Sequence, residues 1–295
     1  MAAIASERPV PRSARLRGGG GQLALVLAVA LALWGLWEGY RWIWVKTGFS
    51  WPFPVNDTTL PHVHTIVQAL FVSPQVGGPW LLTTLFHNAL FTAKEAAAGF
   101  ALGAIIGFTL GVVLAHSGIL ERGFLPYIVA SQTIPILAIA PMVVVWVNPR
   151  LPDPLANWGA VAVIAAYLTF FPVVINTLRG LQSVDPQALE LMRSYAAGRW
   201  TVLWKLRVPA AMPYLFAALK IAATASVVGA IIGELPSAIS GGLGGAIINF
   251  AQYYSFQPQN LWATNLIAAL LGIAFFLVIV FVERLVVHRP PEELV

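Results

Sequence analysis

The side chains able to do chemistry in this chain are few and scattered. Glu234 ends the apolar run VVGAIIG and precedes LPSAISGGLGG. A carboxylate at such depth is costly unless it is paired or hydrated. It reads either as a functional group, with Ser237 beside it on a solute path, or as an interface residue bonded to the exposed backbone of the Gly-rich segment. Gln132 and Thr133 sit in SQTIPILAIAP with Pro135 and Pro141. Prolines free backbone carbonyls, which membrane helices tolerate where neighbours or a water-lined cavity satisfy them. These polar residues read equally as lining a pathway or as bonding between helices. Lys94 and Glu95 fall near the predicted outer end of a span and Lys220 near an inner end, where long charged side chains reach the interface.

Other chemistries find no support. His62 and His64 are two residues apart, a spacing no helix places on one face. No carboxylate motif completes a metal set, so they read as a surface pair and no metal site is expected. GxxxxGK[ST] is absent, so this chain is not expected to bind ATP through a Walker loop, or any other cofactor. No cluster of His, Asp or Glu marks a membrane-embedded enzyme, and no catalytic residue is assigned. The chain holds no cysteine, which rules out disulfides and thiolate metal sites.

What positions these groups must be a membrane bundle. Of 295 residues, 58% are hydrophobic and 10% charged, against roughly 25% charged in a soluble domain. Six segments are long enough to cross roughly 30 Å of hydrocarbon: 22–45, 90–115, 124–148, 157–178, 213–234 and 262–284. The reading is all-α, a polytopic bundle of about six transmembrane helices. Residues 1–21 form a disordered basic tail and 22–45 an uncleaved first span, aromatic at its end rather than small as at a cleavage site. Residues 46–89 form an extracytoplasmic connection with a surface helix near Leu60–Phe71. The core runs over 90–288, and 289–295 is a short tail. Lys and Arg crowd one side: Arg8, Arg12, Arg15, Arg17, Arg122, five in residues 179–212, Arg284 and Arg289. The positive-inside rule places that side, with both termini, in the cytoplasm. The net charge of +5 follows from topology, and no nucleic-acid motif is visible.

Gly99, Gly103, Gly107 and Gly111 repeat every four residues, giving one small-residue face through which membrane helices approach closely. Ala225, Gly229 and Gly233 repeat the pattern. The polar interruption at 179–212 lies between two apolar runs, and Asp185–Pro186 opens a short helix in it.

That interruption carries a family resemblance. ALELMRSYAAGRWTVLWKLRVPAAMPYLFAALKIA resembles the EAA loop of permease subunits of binding-protein-dependent ABC importers. Glu190, Leu191 and Met192 occupy the E-A-A positions, Ala196 stands where glycine is expected, Leu206 where isoleucine is, and Val208–Pro209 at the L-P. Glu190 and Pro209 are retained; the alanines and the glycine are replaced. The flanking VDPQALE, the segment GFALGAIIGFTLGVVLAHS and SQTIPILAIAPMVVVW are similar to the same family, over roughly residues 55–285. The similarity is nearest to the branch importing nitrate, taurine, alkanesulfonates and thiamine or pyrimidine precursors, and GELPSAISGGLGGAI leans towards heterocycles. The resemblance implies a type I ABC importer permease fold in the bacterial plasma (inner) membrane. It implies a cytoplasmic ABC ATPase dimer carrying ATP and magnesium, an extracytoplasmic solute-binding protein, and a second permease copy, usually identical. In that setting a short amphipathic helix around Pro186–Ala197 inserts Leu189, Met192 and Tyr195 into a groove on the ATPase, and Glu190 and Arg193 pair with each other or with its charges. An ion-coupled secondary transporter is the alternative, with Glu234 its one candidate carboxylate.

Overall fold

The computed structural model describes residues 19–48, 51, 53–153, 155–237 and 241–287. Most of the expected basic tail 1–21, the tail 289–295 and His288 lie outside the described residues. The described part is helical, with no strand among the described residues, and divides into two units, Met1–Val67 and Gln68–Val295.

The first unit holds α1 (Gly19–Thr47) and the start of α2 (Val63–Ala69). Glu38 and Arg41 interrupt the apolar face of α1, and a charge there needs partners. The connection supplies them by folding back. Buried Arg41 donates to the Leu60 carbonyl and pairs with Asp57, Trp37 Nε1 donates to the Pro61 carbonyl at 3.1 Å, and Glu38 accepts from Val63 N–H at 3.2 Å. The surface helix expected over 60–71 is α2.

The second unit is built on α3 (Leu81–His116), α6 (Gly159–Gln182), α9 (Val208–Glu234) and α11 (Pro258–Val286). α3 starts nine residues before the predicted span, so the connection ends at Trp80. Thr83, Thr84, His87 and Asn88 dilute the apolar signal, yet Leu81 and Leu85 are fully buried and anchor the first turns. The expected glycine face is present. A Cβ at Gly99 would lie 2.4 Å from Ala165 Cβ, at Gly103 2.6 Å from the Ala166 carbonyl, at Gly107 2.7 Å from the Phe170 carbonyl and at Gly111 2.6 Å from Thr177 Cβ. The α3 and α6 backbones therefore touch along four turns. Gly180, Gly229 and Gly233 bring α9 against α6 as well, less tightly, with an added Cβ 2.9, 2.8 and 3.1 Å from its nearest atom.

Three expectations change. The third span is two helices, α4 (Gly118–Ser131) and α5 (Ile136–Val147), bent by 98° at the break before Pro135. Pro135 has no N–H to continue the helix, and the residue before a proline is pushed to extended backbone. The fifth span begins earlier, with α8 (Arg199–Val202) running into α9 through one π turn at Leu203–Arg207. Pro209 cannot donate to the Lys205 carbonyl, and the ladder widens there. Lys220 does not reach the interface alone; it pairs with Glu283 of α11 at 2.6 Å.

Candidate functional site

Between α6 and α9 the chain leaves the bundle as α7 (Pro186–Ser194). Asp185 accepts from Gln187 N–H at 2.9 Å and Pro186 occupies the first turn, a cap that nucleates so short a helix. α7 ends on Ala196, whose φ is 51°. Ala196 N–H donates to the Arg193 carbonyl at 2.9 Å and Ala197 N–H to the Met192 carbonyl at 3.0 Å, the paired bonds of a Schellman cap. This explains why glycine is expected at that position: the cap needs left-handed backbone, which costs an L-residue about 1–2 kcal/mol. No residue of α7 is buried. Leu191 and Tyr195 are 57% and 77% exposed, whereas Leu189 and Met192 are half-buried. The outward apolar groups are therefore Leu191 and Tyr195 rather than the full expected set. Glu190 and Arg193 are exposed and form no ion pair among the described residues, and Pro209 is exposed at the root of α9.

At the other end of α9, Glu234 is 1% exposed. Its carboxylate caps α10 (Leu243–Gln252): Gly244 N–H donates to Oε2 at 2.5 Å, and Thr92 Oγ1 donates to Oε1 at 2.6 Å. Thr92 also accepts from Leu243 N–H at 2.9 Å. A carboxylate at a helix N-terminus meets unpaired N–H groups and the positive end of the dipole. Gly242 and Gly244 permit the approach, since a Cβ would fall 2.2 Å from Glu234 Cδ and 2.7 Å from Glu234 Cβ respectively. Of the two sequence readings of Glu234, bonding to the Gly-rich backbone is present, on a fully buried group. Ser237 turns inward, its Oγ donating to the Glu234 carbonyl at 2.9 Å.

Glu95 departs from expectation. It is one turn beyond Thr92, fully buried, beside the Glu234 carboxyl, and its oxygens have no hydrogen-bond partner among the described residues. It does not reach an interface because α3 extends nine residues further out than the apolar run suggests. Lys94 turns the other way and places Nζ 4.3 Å from the centre of the Trp158 ring, a cation–π contact. Composition gave no signal for Thr92 or Glu95; only the spacing of Gly242 and Gly244 behind Glu234 hinted at close backbone approach.

Gln132, Thr133 and Pro135 occupy the break between α4 and α5. Thr133 and Pro135 are exposed and Gln132 half-buried. Tyr167 of α6 donates to the Ser131 carbonyl freed there, Thr133 Oγ1 donates to the Ala130 carbonyl at 2.7 Å, and Gln132 Nε2 to Ser131 Oγ at 3.3 Å. This break and the Glu234 cap are separate features; only the cap brings Glu234 and Ser237 together. His62 and His64 lie in the first unit with ring centres 5.0 Å apart.

Residues 103–290 match the model of a family described as binding-protein-dependent transport system inner membrane component. The formylaminopyrimidine transport permease protein ThiX of Halalkalibacterium halodurans is 34% identical over 225 residues, covering 71% of this chain and 86% of that protein. The riboflavin transport system permease protein RibX of Chloroflexus aurantiacus is 31% identical, covering 69% and 72%. Among solved structures, a chain of an amino acid ABC transporter crystallised with histidines is 16% identical, covers 70% of this chain and 95% of itself, and superposes with a TM-score of 0.50. That likeness bears on the fold.

Proposed function

Since the chain belongs to the family of inner membrane components of binding-protein-dependent transport systems, an ABC permease family, we propose that it carries a nitrogen heterocycle inward by alternating access, driven through α7 by a separate cytoplasmic ATPase. The observation that carries this reading is α7 itself. It is a helix capped at both ends and buried nowhere, presenting Leu191 and Tyr195 with unpaired Glu190 and Arg193. Such a helix is stable through its caps and fits a groove on a partner as an apolar anchor with charged flanks. Closure of an ATPase dimer would press two such helices together and rock the bundles around a central path. Two copies of this chain, two ATPase subunits and an extracytoplasmic solute-binding protein make up the importer. The secondary-transport alternative is not favoured, because the chain belongs to an ABC permease family.

A heterocycle rather than a sulfonate or nitrate is supported by two observations. The relatives at 34% and 31% identity are named for formylaminopyrimidine and riboflavin. The break between α4 and α5 offers an amide and hydroxyls, and residues 128–147 contain no charged side chain. Neutral donors and acceptors suit ring nitrogens and carbonyls, whereas an anion would call for a cation or a cluster of N–H groups. The test has two arms. Glu190→Lys and Leu191→Asp should each abolish co-purification of the ATPase with the permease while leaving the chain inserted; an unchanged complex in a detergent pull-down would remove the coupling role. Uptake into vesicles carrying the whole assembly should require ATP and the binding protein, and should be competed by an aminopyrimidine but not by taurine or nitrate.

A further inference from the structure

The two histidines set aside as a surface pair are not alone. In the first unit the connection folds back so that His62 Nδ1 lies 2.8 Å from Glu38 Oε2, twenty-four residues away in sequence. His64 follows, and one donor atom from each of Glu38, His62 and His64 lies within 4.8 Å of the other two. Glu38 is held in place from a second direction by Val63 N–H, which donates to Oε1 at 3.2 Å. Nearby Arg41 is already bound to Asp57 and the Leu60 carbonyl, so its charge is largely compensated. Glu38 and His62 line a surface cavity of about 630 Å³, and His64 is exposed. The site can therefore be approached from outside the fold.

We propose that Glu38, His62 and His64 form a binding site for a divalent transition-metal ion of the zinc type. Two imidazoles and one carboxylate are a zinc donor set that leaves a fourth position for water. Imidazole selects zinc, copper or nickel over magnesium or calcium, which want oxygen. Tetrahedral ligands at about 2.0–2.1 Å from zinc sit roughly 3.4 Å apart. The donors already lie within 4.8 Å of one another; a bound ion would replace the 2.8 Å Glu38–His62 hydrogen bond, parting that pair by about 0.6 Å, and the exposed His64 ring would turn inward to join them. Because the donors come from α1 (Glu38), from the residue just before α2 (His62) and from its first turn (His64), a bound ion ties the connection to α1 and stabilises that unit by binding the folded form alone. This site is independent of the transport reading.

The experiment is a zinc titration of the full-length chain in detergent, purified on a tag that contains no histidine, with Mg2+ as the parallel probe. Calorimetry should give one Zn2+ per chain and no Mg2+ uptake, and zinc should raise the melting temperature. His64→Ala is the informative variant, since the side chain is exposed and the Glu38–His62 pair survives its loss. It should melt like the unsubstituted chain without metal and bind zinc at least about tenfold more weakly; Glu38→Gln should weaken binding as well. No zinc uptake by the unsubstituted chain would overturn the site. So would equal uptake by His64→Ala, which would place the ion on His87 or His116 instead.

Discussion

Ala196 carries a conformation that its side chain resists. Its φ of 51° closes α7, and the family pattern puts glycine at that place for the reason the Schellman bonds make visible. Ala196→Gly should therefore stabilise the loop by roughly 0.5–1 kcal/mol, the left-handed cost less the extra chain entropy of glycine. Ala196→Val should do the reverse. Thermal denaturation of the solubilised chain reads both. Thr92 is the corresponding residue at the other end of α9, donating to Glu234 and accepting from Leu243 N–H. Thr92→Val keeps the volume and removes both bonds in a buried site, leaving a carboxylate oxygen and an N–H short of a partner. The expected loss is about 2–3 kcal/mol in the same melt. The family pattern pointed to Ala196, whereas the role of Thr92 was not legible beforehand. Glu234 announced itself by breaking an apolar run, but Thr92 is an ordinary residue of a helix, and its bonds span 142 and 151 residues.

Among the elements, those governed by local chemistry were the ones the sequence made readable. The Asp185–Pro186 start of α7 is a capping signal, and the four-residue glycine repeat of α3 is a packing signal; both act within a few residues and both are present. The start of α3 and the fate of Glu95 were hidden, because Leu81 and Leu85 are buried by tertiary contacts amid polar neighbours. The angle at Pro135 was hidden too, since a proline marks a break without setting its size. The glycine seam gives the clearest element-level prediction. A Cβ at Gly103 would already sit 2.6 Å from the Ala166 carbonyl and from Thr169 Cβ, neither of which can swing aside. Gly103→Val should cost about 3 kcal/mol or more, seen as a lower melting temperature or loss of the inserted chain. Gly35→Ala in α1, where nothing lies within 4 Å of the added atom, should be silent.

For the molecule as a whole, orientation is the property still resting on charge asymmetry. Among the described residues five helices are long and apolar enough to cross, and the bent α4–α5 pair would make six. Helices of 14 and 12 residues are about 21 and 18 Å long. Turned 98° from one another, they advance roughly 26 Å along their bisector, close to a hydrocarbon thickness. Counted as one crossing, the pair gives the even number of spans that the charge-based orientation calls for. The absence of native cysteine makes this directly measurable. An impermeant maleimide should label Val76→Cys in intact cells and Gln187→Cys only after permeabilisation. The opposite pattern would place α7 outside and end the coupling proposal. Beyond topology, the glycine seams constrain motion. Where the glycines of α3 meet the carbonyls of Ala162, Ala166, Phe170 and Val174 on α6, a slide of one helix past the other would drive main chain into main chain. α3 and α6 are therefore expected to tilt together, with α9 resting on α6 through the Val161, Ile164 and Leu168 side chains and the Ala165 backbone. On the coupling proposed for α7, slung between α6 and α9, a push there would reach the α3–α6 pair as a unit, and bending would concentrate where the helix is already interrupted, at residues 132–135.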